Sequence, residues 1–362
     1  MNLRSLILLF LLVPSLVKAG EWNTEISGEV RGFYGYTDSR KQKDNHIVGD
    51  GELNSTLFYD FNEDYGISFH IDFMVGADKE LQNYNQGKWG EEIYSILNTP
   101  YGQLMVGQMF NVAYQFSDGV PTTGVFTNTS DIVDFISNPN WQRNTKQTKF
   151  VTLNATYINT DGVAPKISYV SPEFYGTGIG FSYTPKSYNR RGLINSHAPY
   201  KNKSGYIGAI YTSQEISGLY IDASLATAKF HDDDNEYSAS VRLSYGNWNI
   251  GGGWRKTDVN GKRTYSQDYE MPEFFDGYRE GQAWDIGIGY KIGPLQTTLS
   301  YFESKSNNSN HQDKIWSLSN RYQVNQNADI YLAVAHVDFE EDKYSSNNKQ
   351  GWAFVTGVGF NF

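Results

Sequence analysis

Polar and apolar positions alternate along this chain in short runs, and the last run shows the pattern best. From Gly351 to Phe362, every second residue (Trp352, Phe354, Thr356, Val358, Phe360, Phe362) is large or apolar except for one Thr. Between them stand Ala353, Val355, Gly357, Gly359 and Asn361. A period of two predicts a β-strand with one apolar face. A strand this one-sided would be an aggregation-prone edge if left open. Pairing it with the first strand of the chain removes the edge.

The same period recurs upstream. Strand one, roughly Glu25–Tyr36, sends Ile26, Val30, Tyr34 and Tyr36 one way and Ser27, Glu29 and Arg31 the other. A polar loop to about Asp50 follows, then a second strand that turns tightly at Asn62–Gly66. Further short turns are expected at Thr99–Gly102, Pro172–Gly176, Gln214–Gly218, Gly246-Asn247, Gly293-Pro294 and Asn325–Asn327. Polar loops, most of them long, alternate with these turns. The longest connection, Phe110 to Ala164, follows strand five, and within it Lys149–Tyr157 alternates like an extra hairpin limb. Sixteen strands joined by alternating long and short connections predict an all-β fold, a transmembrane antiparallel up-and-down β-barrel. At that strand number the lumen is wide enough for water.

Composition removes the alternatives. Mean hydropathy is −0.54 and no segment reaches the roughly 18 apolar residues of a membrane-spanning helix. A barrel escapes that test because its alternating signal averages out. Aromatic residues make up 15% of the chain, led by 27 Tyr, which suits rings lying at a membrane–water boundary. Arg4, the apolar stretch Leu6–Val13 and Val17-Lys18-Ala19 before Gly20 read as a cleaved secretory signal over residues 1–19. Residues 20–362 are then one barrel domain. Without the two basic residues of the leader, 28 Lys plus Arg face 40 Asp plus Glu, a net charge of −12. That balance argues against a nucleic-acid partner. Cys is absent, so neither disulfides nor thiolate chemistry is available.

No enzyme signature emerges. The six histidines (His46, His70, His197, His231, His311, His336) stand beside no arrangement that would activate a Ser. His231-Asp232-Asp233-Asp234 reads as a charged loop tip, able at most to bind divalent cations that bridge lipopolysaccharide phosphates. No phosphate cradle or paired metal-ligand spacing occurs, and no cofactor is expected.

Two internal stretches resemble the trimeric general-diffusion porins of Gram-negative bacteria, and the C-terminus resembles the signature of outer-membrane barrel proteins in general. Glu91–Gln108 looks like that family's strand–turn–strand unit before the constriction loop. Tyr169-Val170-Ser171-Pro172-Glu173-Phe174-Tyr175-Gly176 is similar to its Tyr-x-Ser-Pro-x-Phe-x-Gly turn. Gly357, Phe360 and Phe362 fill the places of the C-terminal signature read by the barrel assembly machinery, with Val355 departing from the usual polar residue. The resemblance implies a homotrimer in the outer membrane, in contact with lipid and lipopolysaccharide, that passes small hydrophilic solutes and ions by passive diffusion. It also implies that the third loop, Phe110–Ala164, folds into the lumen, its acids facing a basic wall.

On that basis Asp118, Asp131 and Asp134 are the candidate acidic side of the constriction. Two positions where the family often carries Arg hold Glu91 and Gln108 instead. Inward parity leaves Arg31, Lys166, Arg242 and Arg255 as candidate basic lining, Arg255 equally placed for an exposed rim. Fewer wall cations on an acidic chain predict a preference for cations. A substrate-selective channel, for example for oligosaccharides, is the alternative: Trp89, Phe126, Phe135 and Trp141 lie in loops that could present rings to a sugar. A barrel hydrolase is disfavoured by the missing catalytic set.

Overall fold

The computed structural model describes residues 22–39, 42–76, 92–124, 135–136, 138, 140–143, 148–150, 152–185, 204–230, 234–259, 280–307, 310–340 and 349–362. The predicted leader lies outside them. The strands are β1 (Trp22–Ser39), β2 (Gln42–Asp60), β3 (Gly66–Gly76), β4 (Glu92–Thr99) and β5 (Gly102–Gln108). After the one-turn helix α1 (Val112–Gln115) come β6 (Trp141–Arg143) and β7 (Thr148–Phe150). There follow β8 (Pro165–Val170), β9 (Thr177–Thr184), β10 (Gly205–Ile216), β11 (Leu219–Phe230), β12 (Asp234–Tyr245) and β13 (Trp248–Val259). The chain finishes with β14 (Gly281–Ile292), β15 (Leu295–Ser306), β16 (Gln312–Asn325), β17 (Ala328–Glu340) and β18 (Lys349–Asn361).

All except β6 and β7 join one closed antiparallel barrel of 16 strands. Closure is made by β1 and β18, registered from Glu29↔Asn361 to Ser39↔Gly351. The seam extends one residue further, because Gly28 and Phe362 exchange both backbone hydrogen bonds at 3.0 Å. The expected alternation is literal in β18: Ala353 and Val355 are buried, while Trp352, Phe354, Val358 and Phe360 are exposed to the lipid side. Glycine at 28 leaves room for the last ring. A Cβ there would sit 2.6 Å from the Phe362 ring and 2.7 Å from the Glu52 carbonyl oxygen. Gly28→Val therefore forces the seam apart, and refolding yield from urea into detergent micelles is expected to fall, with a stability loss of about 1–3 kcal/mol.

Two belts of rings mark the membrane boundaries. Near the short turns, Trp248 packs at a tilt against Tyr290 with centroids 4.4 Å apart, and Tyr245 and Tyr322 are also exposed. Toward the long-loop end, Trp284, Tyr301 and Trp316 form a row with centroid spacings of 5.1 and 4.4 Å. Exposed aliphatic residues such as Ile250, Ile286 and Leu299 fill the band between.

The structure departs from the sequence reading in two places. β1 and β2 continue pairing out to Ser39↔Gln42, so the supposed first loop is mostly ladder. Its polar residues obscure the strand because solvent-side extension beyond the bilayer needs backbone pairing only, with no apolar face. The hairpin limb expected at Lys149–Tyr157 is shorter and sits earlier: β7 covers Thr148–Phe150 and pairs with β6, and residues 152–157 form no strand.

Candidate functional site: the loop inside the barrel

The connection from β5 to β8 is the third loop, and its described residues run along the inner wall. It leaves β5 at Gly107, whose φ of +147° suits only glycine, and enters α1 with Asn111 as N-cap. The Asn111 side chain accepts from the Tyr114 N–H and donates to Asp161 Oδ1 at 2.6 Å and to the Ile158 carbonyl at 3.0 Å, tying the start of the loop to its end. The Val112 N–H then reaches the Ser182 hydroxyl on β9 at 3.0 Å.

From there the chain passes strand after strand. The Asp118 N–H donates to the Ser240 hydroxyl at 3.2 Å on β12, where the Asp118 carboxylate also meets Arg242 Nη1 at 2.5 Å. Arg242 donates to the carbonyls of Gly119 and Val120 as well, both at 3.0 Å. The Thr122 carbonyl accepts from Gln296 on β15 at 2.8 Å, the Thr123 hydroxyl donates to Ser319 on β16 at 2.8 Å, and the Gly124 carbonyl accepts from Arg31 on β1 at 3.0 Å. One stretch of chain thus spans the wall from β9 round to β1.

The return pass runs in the opposite direction. Phe135 lies over Gly35 of β1 and edge-on to His46 of β2. Asn140 donates to Asp313 of β16 at 2.7 Å, Thr152 also donates to Asp313, and Thr156 donates to Asp285 of β14 at 3.0 Å. Asn159 and Thr160 accept from Arg255 of β13 at 2.7 and 2.8 Å. Asp161 finally accepts from Thr184 of β9 at 2.9 Å and pairs with Lys166 of β8 at 3.1 Å.

This close seating requires a smooth wall. Gly251, Gly287 and Gly289 face the loop, and a Cβ at Gly251 would stand 2.3 Å from the Gly119 carbonyl oxygen. Elsewhere the inner face carries cross-strand hydroxyl pairs: Ser168–Ser182, Ser224–Ser240, Ser300–Ser317 and Thr298–Ser319, at 2.6–2.8 Å. Small side chains that hydrogen-bond one another leave the surface low and its polar atoms satisfied.

The residues singled out in the sequence divide among different surroundings. Arg255 is fully buried, with Glu236 at 2.7 Å, and takes no place on an exposed rim. Lys166 is likewise covered, donating to the Gly162 carbonyl at 2.8 Å and to that of Met109. Arg242 and Asp118 are half-buried partners of each other. Burial raises the proton affinity of the Asp118 carboxyl, with Arg242 pulling in the opposite direction. Arg31 holds Asp50 through two bonds of 2.8 and 2.9 Å and has Glu29 at 3.4 Å. Gln108 is half-buried beyond Gly107, between Ile93 and Pro165 in the register. Glu91, Asp131 and Asp134 lie outside the described residues, as do Trp89, Phe126 and the side chain of Trp141. Phe135 is buried as a wedge between loop and wall.

Sequence reasoning missed the acids that anchor the loop, Glu236, Asp285, Asp313 and Asp161. Three of them were open to detection: they stand at inward parity on strands, under side chains that the lumen would otherwise leave to water. His70 bonds Thr56 at 3.2 Å and Ser68 at 2.8 Å and stacks on Tyr94. Among the described residues no cluster of His, Asp and Glu could hold a metal ion.

A wide closed barrel with an inward-folded third loop defines a transmembrane channel. The family model for Gram-negative porins matches residues 6–342, and the chain belongs to that family. It is accordingly an outer-membrane diffusion channel and not an enzyme. None of the curated proteins matches the chain by sequence. Among solved structures, OmpT of Vibrio cholerae in its trimer form is similar at TM-score 0.61 and 13% identity, covering 95% of this chain and 100% of that one. OmpF of Salmonella typhi, in complex with daunomycin, matches at TM-score 0.60 and 14% identity over 94% of this chain and 97% of that one. An anion-selective porin from Comamonas acidovorans matches at TM-score 0.59 and 13% identity over 94% and 100%. At such identities the likeness concerns the fold.

Proposed function

We propose that this porin passes small hydrophilic solutes and ions by size-limited diffusion, with a preference for cations, as a homotrimer in the outer membrane. The observation that carries the reading is the course of the third loop. Its described residues lie flat against the wall from β9 to β1 and back, which narrows the lumen. Solutes are then sorted by the gap between the loop and the remaining wall. Arg242, Arg255 and Lys166 act as anchors of the constriction, their charges largely met by Asp118, Glu236 and Asp161. Asp131 and Asp134 belong to the same loop by sequence.

The trimer is supported by the family and by the trimer form of the Vibrio relative. Residues 1–19 serve as the export leader, and lipid with lipopolysaccharide surrounds the barrel. Phe360 and Phe362, on the exposed face of the closing strand, suit capture by the assembly machinery.

Swelling of liposomes loaded with the protein tests the reading. Uptake rates of uncharged sugars should fall smoothly with molecular size, and the smallest should show no saturation. Saturable uptake of one oligosaccharide, faster than that of smaller sugars, would replace diffusion with a substrate-selective channel.

A further inference from the structure

The loop hydrogen-bonds or packs onto most of the wall, and on β2–β4 its described contacts include His46, Glu92 and the apolar clusters that hold Val48, Tyr94 and Ile96. The inner face of this arc, together with the adjoining part of β1, is strongly acidic. Inward positions carry Glu29 on β1, Asp50 and Glu52 on β2, Asp72 on β3 and Glu92 on β4. Against these carboxylates the same face presents one guanidinium, Arg31, already bridged to Asp50 and Glu29. Arg321, which lies near Glu29, has its own partner Asp329 at 2.7 Å.

A second observation concerns how these acids are paired. Glu29 stands directly across from Glu52, and Asp72 directly across from Glu92. Like charges at directly opposed positions destabilise a sheet, as at Glu29 and Glu52, while Asp72 and Glu92 are close enough to share a hydrogen bond. Basic residues elsewhere on the wall are met by carboxylates: Lys166 by Asp161 and Arg242 by Asp118 of the loop, and Arg255 by Glu236 of β12. Among the described residues, the charge that faces the lumen on this arc is predominantly negative. Such an arrangement needs mobile counter-cations to be tolerable, and rings of carboxylates favour cations in a pore.

We propose that ion selectivity is set by the acidic wall of β1–β4, chiefly Glu52 and Asp72, along which small cations pass, and not by acids of the loop facing a basic wall. This rests on the diffusion-channel reading and says which residues give it its sign. It reverses the expected geometry, because this part of the wall is the negative side and loop carboxylates neutralise Lys166 and Arg242.

The test is the reversal potential of the purified full-length mature protein in a planar bilayer under a potassium chloride gradient. Wild type should show a cation-sign potential. Each of Glu52→Gln and Asp72→Asn should lower the potassium-to-chloride permeability ratio roughly twofold or more at low salt, and the double variant should bring it near one. Asn54→Asp, which adds a carboxylate between the two on the same face, should raise the ratio. The control is Glu303→Gln on β15, away from this arc. Ohmic current with a ratio unchanged in the double variant and in Asn54→Asp overturns the inference while leaving the channel intact. Absence of current in wild type defeats the diffusion reading itself.

Discussion

Arg255→Leu is expected to lose about 3–5 kcal/mol of stability, the typical result of stripping one partner from a buried ion pair. The guanidinium has no exposed surface and makes four bonds, two to Glu236 and one each to Asn159 and Thr160. Its loss strands a buried carboxylate that retains only the Thr160 hydroxyl among its described bonds to the loop. Replacing both members, Arg255→Leu with Glu236→Leu, removes the stranded charge and should recover most of the loss. Thermal unfolding in detergent, followed by the mobility shift of folded barrel on unheated gels, reads the difference. Equal damage from the single and double variants would mean that the pair is not the anchor.

Gly251→Val should change conduction more than stability. The site faces the Gly119 carbonyl oxygen, which a Cβ would approach to 2.3 Å, and the Val241 carbonyl oxygen at 2.8 Å. The wall cannot retreat from within a hydrogen-bonded ladder, so the loop must move by about 1 Å or more to restore ordinary contact. The only free direction is toward the channel axis. Single-channel conductance should fall, with more flicker, at a stability cost of about 1–3 kcal/mol for overpacking. Gly246→Ala, in the β12–β13 turn where a Cβ meets nothing within 4 Å but φ is +57°, is a useful contrast: some stability lost, conductance unchanged. Arg242→Ala acts between these extremes. It frees the carbonyls of Gly119 and Val120 and the Asp118 carboxylate at once, so current fluctuations should rise while the barrel stays folded.

The barrel was legible in the sequence because strands in lipid must alternate, and β13 and β14 do so with large rings outward. The third loop was legible from its length and from the strand–turn–strand unit before it. Its seat did not, for a reason visible at Gly251, Gly287 and Gly289. Glycine in a strand signals close approach without saying what approaches. The fate of the basic residues was hidden in the same way. Inward parity singles out Arg242 and Arg255, but burial depends on a partner more than a hundred residues away for Arg242, where Gly119 and Val120 supply the carbonyls. Likewise, Glu29 opposite Glu52 is a matter of register between β1 and β2, and that register runs through residues that looked like a loop.

The central claim is an open channel narrowed by a pinned loop, and single-channel recording in a planar bilayer addresses it most directly. Purified protein should insert with large ohmic steps, closing in three levels for a trimer, with micromolar sugars leaving the current unaltered. Small or absent steps, or blockade by micromolar sugar, would contradict an open diffusion pore and point to a plugged or substrate-selective barrel.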